Sequence, residues 1–529
     1  MRLNQKTLGA LLLSLTLVGL TCYSTAAFGQ AQAPVAPPAP LPGPRGTPIR
    51  PAPNAWSPKS IAYIKASNAK KDGQFGLTIA MSGDGNTMAV GSTTEDSGAK
   101  GINGNQSDHS ALNAGAVYVF TRSGANWTQQ AYVKASNAKG SDQFGAALAL
   151  SGDGNTMVIG ATGEGSSATG VNGNQSDTSM PGAGAVYVFT RSGATWSQQA
   201  YVKASNTGEK EDGDQFGYSV AVSSDGNTLA TGAVSEKSAA TGINGDQSNK
   251  GADGSGAVYV FKRDGSAWSQ QAYVKPWNTT NRGALFGYSV GLSGNGDTMA
   301  VGTYDENGGK GAVYIFNRSG TTWAQQTRLS ASNAEPGDSM GCALSISDDG
   351  NTVAAGAFDE DSLLRGIQPP TEGSNDSASD VSTGAAYVFV RKDTAWTQQA
   401  FIKATNTRLN DQFAWALSLS RDGNTLAVGS HLEDSGATGL NGDQEDASAE
   451  DSGAAYVYAR SGNTWTPVAY VKAPNPKASA EFGISLALNA DGKVLAVGAF
   501  KESGGGVGVN PAKAAAKAAP ESGAAYVYY

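Results

Sequence analysis

An FG-type dipeptide returns seven times down this chain, at Phe75-Gly76, Phe144-Gly145, Phe216-Gly217, Phe286-Gly287, Met340-Gly341, Phe413-Ala414 and Phe482-Gly483, at intervals of 54 to 73 residues. Each copy carries four short stretches of strand-like alternation, in the third FGYSVAVS, NTLATGA, GAVYVFKR and WSQQAYVK. Units of this kind bury their apolar faces only against one another, so they form an open stack or a ring. The chain ends decide between the two. Trp127, Trp196, Trp268, Trp323, Trp396 and Trp465 open the fourth stretch of copies one to six, whereas copy seven stops at its third, Gly523 to Tyr529. The missing stretch lies at the other end, where WSPKSIAYIKA (56–66) parallels WTPVAYVKA (465–473). An open stack has no reason to split one unit between its ends. The expected fold is an all-β, seven-bladed β-propeller with four antiparallel strands per blade, the last blade closed by the N-terminal strand.

Ahead of the repeats, residues 1–29 read as a secretory signal peptide and 30–55 as a proline-rich linker, leaving 56–529 for the propeller. Cys22 keeps lipid anchoring open, and Cys342, the only later cysteine, leaves no internal disulfide. The formal net charge of −8, with no basic cluster, argues against nucleic acid as a partner. No later stretch is apolar enough to span a bilayer. The expectation is a monomer that is secreted or held at the cell envelope of a bacterium.

The stretch SGDGNTMAVG (82–91) and its near copies pose the question of a metal loop. Only Gly83-Asp84-Gly85-Asn86 separates the flanking strands, while a calcium loop of EF-hand type takes about a dozen residues to surround one ion. Asp-Gly between alternating strands is a hairpin signal, so these loops are expected to be turns.

The FG starts, the Ala89-Val90-Gly91-Ser92 positions and the Gly115-to-Phe120 strand resemble the FG-GAP repeats of bacterial exported proteins, related to the propeller of integrin alpha chains. The resemblance covers essentially 56–529 and implies a propeller used for recognition and adhesion. It does not carry the calcium loops of integrin-type repeats onto the four-residue hairpins.

In such a propeller the connections from strand two to three, and from strand four to the next blade, emerge on one face, and there the loop lengths vary. An acid follows each second strand: Glu95 and Asp96, Glu164, Glu236, Asp305 and Glu306, Asp359 to Asp361, Glu433 and Asp434, and Glu502. These acids are expected to form a ring, read either as a solvated rim or as a ligand-binding surface for a protein or carbohydrate partner. Trp277 and Trp415 fall outside the repeat pattern near that face and are candidate ligand contacts or local packing. Four copies add the GINGNQSD-like phrase, in which Asn103, Asn105 and Asp108, with Asp443 and Asp446 in copy six, offer oxygens of the type Ca2+ prefers; Asn, Asp and Gly also satisfy their own backbone in loops. Copy four lacks this phrase, which leaves a low wall there. The only histidines, His109 and His431, sit in different copies and complete no catalytic triad; His431, beside Glu433, reads as a surface residue. The leading expectation is a non-catalytic recognition or adhesion propeller. A calcium-dependent lectin and a polysaccharide-acting enzyme are its alternatives.

Overall fold

The computed structural model describes residues 56–208, 213–279, 283–369, 381–511 and 519–529. The expected signal peptide and linker lie outside the described residues. Seven antiparallel sheets follow in order, each built from strands consecutive in sequence except the last. Blade one comprises Thr78–Met81, Thr87–Ser92, Ala116–Ser123 and Asn126–Val133; blade five gains a short fifth strand, Ile367–Gln368, outside its fourth. The last sheet takes Phe482–Leu488, Leu495–Ala499 and Ala524–Tyr528 from the C-terminal end and Ile61–Ile64 from the N-terminal end, with Tyr63 opposite Tyr526. The seven-bladed fold closed by the N-terminal strand is therefore as the sequence leads one to expect.

First strands of successive blades pack on one another around the whole ring, including Thr78–Met81 against Phe482–Leu488. Adjacent sheets can approach closely because glycines meet glycines: a Cβ on Gly160, in the second strand of blade two, would stand 2.0 Å from the Gly217 carbonyl oxygen of blade three. Gly217 itself carries φ +90°, a conformation that side chains rarely adopt. Between these seams lie cores such as Phe144, Tyr187, Phe189, Trp196 and Tyr201, fully or almost fully buried.

Both ends of the axis differ in construction. On the face of the tight hairpins, one turn residue per blade donates its N–H to the carbonyl of the next: Gly83 to Gly152, Gly152 to Ser224, Ser224 to Gly294, Gly294 to Asp348, Asp348 to Arg421, Arg421 to Ala490, and Ala490 back to Gly83, at 2.8–3.1 Å. The Arg421 guanidinium lies across this circuit, donating to Ser224 Oγ and standing 3.5 Å from the Asp348 carboxylate. On the opposite face the third residues of the first strands gather at the axis. Leu77, Ile484 and Phe500 cluster with Trp415, and Tyr218 and Tyr288 lie 4.9 Å apart.

The outer edge of each blade is tied to its neighbour. The Arg191 guanidinium lies 5.3 Å from the Trp196 ring centre, and Trp196 Nε1 donates to Gln130 Oε1 of the preceding blade at 2.8 Å; blades three to six repeat this contact. At the closing seam Ile61 stands where blades one to five have that glutamine, and Trp127 Nε1 is buried with no acceptor. Tyr529 strengthens that seam instead, its ring 4.8 Å from the Arg122 guanidinium and its hydroxyl donating to the Ala125 carbonyl at 2.7 Å.

Candidate functional site

The turn after each second strand places a glutamate at the seam with the preceding blade, and in every blade but the fourth the end of the fourth strand brings a lysine to it. In blade six Glu433 accepts from Lys472 Nζ at 2.7 Å, Tyr470 OH at 2.9 Å and Asn406 Nδ2 at 2.9 Å, and Lys472 also donates to Ser452 Oγ at 2.8 Å. Both charged side chains are fully buried. The pairs Lys134–Glu95, Lys203–Glu164, Lys275–Glu236, Lys403–Glu360 and Lys65–Glu502 repeat the arrangement. Burial pulls each of these lysines below the ordinary lysine range even though the glutamate opposes it, so desolvation outweighs pairing.

Blade four reaches the same neutralisation by other means. Arg328 occupies the position of Tyr132, Ser330 that of Lys134, and Arg328 Nε donates to Glu306 at 3.1 Å. The asparagine of the preceding blade joins every site: Asn68, Asn137, Asn206, Asn278, Asn333, Asn406 and Asn475 each donate to the next glutamate and accept from the next blade's third-strand tyrosine.

The seven glutamates are thus not a solvated rim. Glu95, Glu164, Glu236, Glu306 and Glu433 are at most 4 % exposed. The carbon chain after the second strand turns inward to give the buried lysine a counter-charge, a demand that counting acids along the sequence does not register. The neighbouring aspartates are nearer solvent: Asp96 pairs with Lys70 and accepts the Asn113 N–H, Asp434 accepts the Asp451 N–H, and Asp305 is exposed. Trp415 is half-buried at the axis, its ring centre 5.1 Å from that of Phe358 and 4.6 Å from that of His431. His431 is buried rather than at the surface, and burial brings its imidazole down to about 3. Trp277, by contrast, is 54 % exposed.

The proposed calcium oxygens serve their own loops. Asn103 Oδ1 accepts the Tyr132 N–H at 2.9 Å, Asn105 Oδ1 accepts Ser107 N–H at 3.0 Å, and Asp108 accepts Gly98 N–H at 2.9 Å and Ser110 N–H at 3.0 Å. Asp443 and Asp446 hold the N–H groups of Glu445 and Ser448. Among the described residues no three His, Cys, Asp or Glu side chains converge as metal ligands do. The loops act as roofs. Gln106, Gln175, Gln247 and Gln444 each accept a hydroxyl from the preceding blade, from Ser67, Ser136, Ser205 and Thr405. The hairpin carboxylates are likewise engaged: Asp84 accepts Asn86 N–H at 2.9 Å and the Ser82 hydroxyl at 2.5 Å.

Seam three/four is unroofed. Blade four turns directly through the four-residue helical turn Glu306–Gly309, in which Asn307 and Gly308 have φ of 56° and 74°. Trp277 stands where Ser67, Ser136 and Ser205 meet their roofs.

This architecture defines a scaffold propeller whose polar seams are structural and whose variable loops share one face. The FG-GAP repeat family model matches residues 127–189, 268–316 and 396–458. Each match runs from a repeat tryptophan through the third strand of the next blade, so the sequence unit straddles a seam. The chain is a seven-bladed propeller that carries FG-GAP repeat matches over these stretches. No curated protein matches it.

Proposed function

We propose that this chain is a non-catalytic recognition propeller that docks a macromolecular partner, a protein first of all, on its loop face outside the cell or at the cell envelope. One observation carries the reading. Of the six large apolar side chains exposed among the described residues, Leu112, Trp277, Leu363, Leu409 and Val507 lie on loops of that face, and only Ile61 lies elsewhere. Apolar groups held out on loops of a rigid scaffold are what a partner can desolvate. The buried state of the seam carboxylates supports binding over catalysis, because an acid locked against a lysine is not free to exchange protons with a substrate. No helix among the described residues is long and apolar enough to cross a membrane.

The test is a screen of the immobilised chain against envelope and extracellular proteins. Leu112→Glu/Leu409→Glu is expected to lower binding of a captured partner by about tenfold or more, while Asn126→Ala on the hairpin face leaves it unchanged. Undiminished binding by the double variant would overturn the reading.

A further inference from the structure

We infer that the unroofed seam between blades three and four is a carbohydrate subsite, on which an extended oligosaccharide lies with one sugar ring stacked on Trp277. This deepens the recognition reading and rests on the loop face being the side where partners approach. Three observations meet at the seam. First, blades one, two, three and six carry inserts that fold back over the preceding blade, and blade four has none. Second, at the serine or threonine position those inserts would cover stands an indole that is 54 % exposed. Its backbone is held in place, with Trp277 N–H donating to Gln325 Oε1 at 3.0 Å and Thr279 Oγ1 donating to the Pro276 carbonyl at 3.0 Å. A fixed aromatic platform loses little conformational freedom when a ligand covers it.

Third, the cleft at the base of this seam is too small to take a side chain. It mixes polar groups of Asn278, Thr279 and Glu306 with apolar Pro276, Ala284 and Phe286, and its volume of about 10 Å³ admits no more than a water. A protein side chain seeking a dry anchor pocket finds none there. A sugar needs no such pocket, since its C–H face lies on the indole while its hydroxyls both donate and accept at the rim. The rim offers both kinds of partner. Asp305 is exposed, and the Arg328 side chain, which holds Glu306 at 3.1 Å, keeps 24 % of its surface in solvent. Arg328, at the position that holds tyrosine in blade one, thus brings a forked donor toward the surface at a seam where the short turn of blade four supplies no roof.

The experiment titrates the full chain with cellohexaose, xylohexaose and chitohexaose by calorimetry, with tryptophan fluorescence as second readout. At least one hexaose is expected to bind. Trp277→Ala should weaken it by about tenfold or more, and Trp277→Phe, which keeps a ring, by no more than about threefold. Leu112→Glu/Leu409→Glu should leave it unchanged. Absence of binding by all three sugars, or equal binding by Trp277→Ala, overturns the subsite. The protein-docking reading stands or falls separately, because its own test is lost with the leucines and not with the tryptophan.

Discussion

A carboxylate buried without a cation tells more than one that is paired. Asp142 and Asp338 precede the FG position of blades two and five and are each at most 4 % exposed. Burial pushes both up to about 7; the Lys139 N–H and the nearby Lys139 and Lys134 charges oppose it at Asp142, the Glu335 N–H opposes it at Asp338, and the seam glutamates Glu164 and Glu360 add to it. A folded-state value above the unfolded one means that the native protein binds more protons than the unfolded chain between the two values. These groups therefore contribute stability that is fully present below pH 4 and fades as pH rises through 7. Between pH 5 and 8 the melting temperature is expected to fall with rising pH on their account, and Asp142→Asn/Asp338→Asn should flatten that slope. Melting curves at both ends of the range check this; an unchanged slope would show that the two carboxyls ionise as freely as in water. The sequence shows aspartate before four FG positions but not that they are enclosed, because enclosure comes from the neighbouring blade.

At the scale of the strand and its turn, blade four supplies a natural exchange. In the other six blades a lysine at the end of the fourth strand neutralises the glutamate, and in blades six and seven Tyr470 and Tyr63 also donate to it; here Arg328 takes the position of those tyrosines and Ser330 that of the lysine. Arg328→Tyr alone should leave Glu306 without a cation and destabilise the protein by about 3 kcal/mol, near the low end for a broken buried pair because Arg328 is partly solvated. Arg328→Tyr/Ser330→Lys should recover most of that loss. Denaturant unfolding of the three proteins decides the matter, and a double variant no more stable than the single would mean that the two positions are not coupled. The four-strand pattern, the short hairpins and the place of the low wall were readable from alternation and spacing. The inward turn of the glutamates was not, since Thr94-Glu95-Asp96 gives no sign of which acid faces the next blade. Trp277 could be singled out because it falls outside the repeat pattern, and its exposure became clear only once the missing insert was seen in space.

At the scale of the ring, closure depends on a few contacts made by residues 56–66 and 524–529. Strand Ile61–Ile64, the Trp56 Nε1 bond to the Gly492 carbonyl at 2.9 Å and the Tyr529 contact on Arg122 hold blade seven together and to blade one. Removing residues 56–66 would strip the Tyr526 edge and the Lys65 partner of Glu502 at once. The truncated chain is expected to lose cooperative unfolding or fail to fold, whereas deletion of 30–55 leaves the unfolding transition in place. Calorimetry of the two truncations distinguishes them. The split unit was legible because two phrases far apart in the chain share the same order of tryptophan, proline, Ala-Tyr, an aliphatic residue and Lys-Ala. The orphaned Trp127 Nε1 was not, because it arises only where Ile61 replaces a glutamine across that one seam.

The circuit of turn amides beneath the axis has a counting property. Every member gives one hydrogen and takes one, and all seven run in the same rotational sense, so the loop has no beginning at which a further unit could be spliced in without breaking a bond on either side. With the Arg421 head lying over it, that end of the molecule is a floor. The loops free to vary in length, and so to meet a partner, are those of the opposite face.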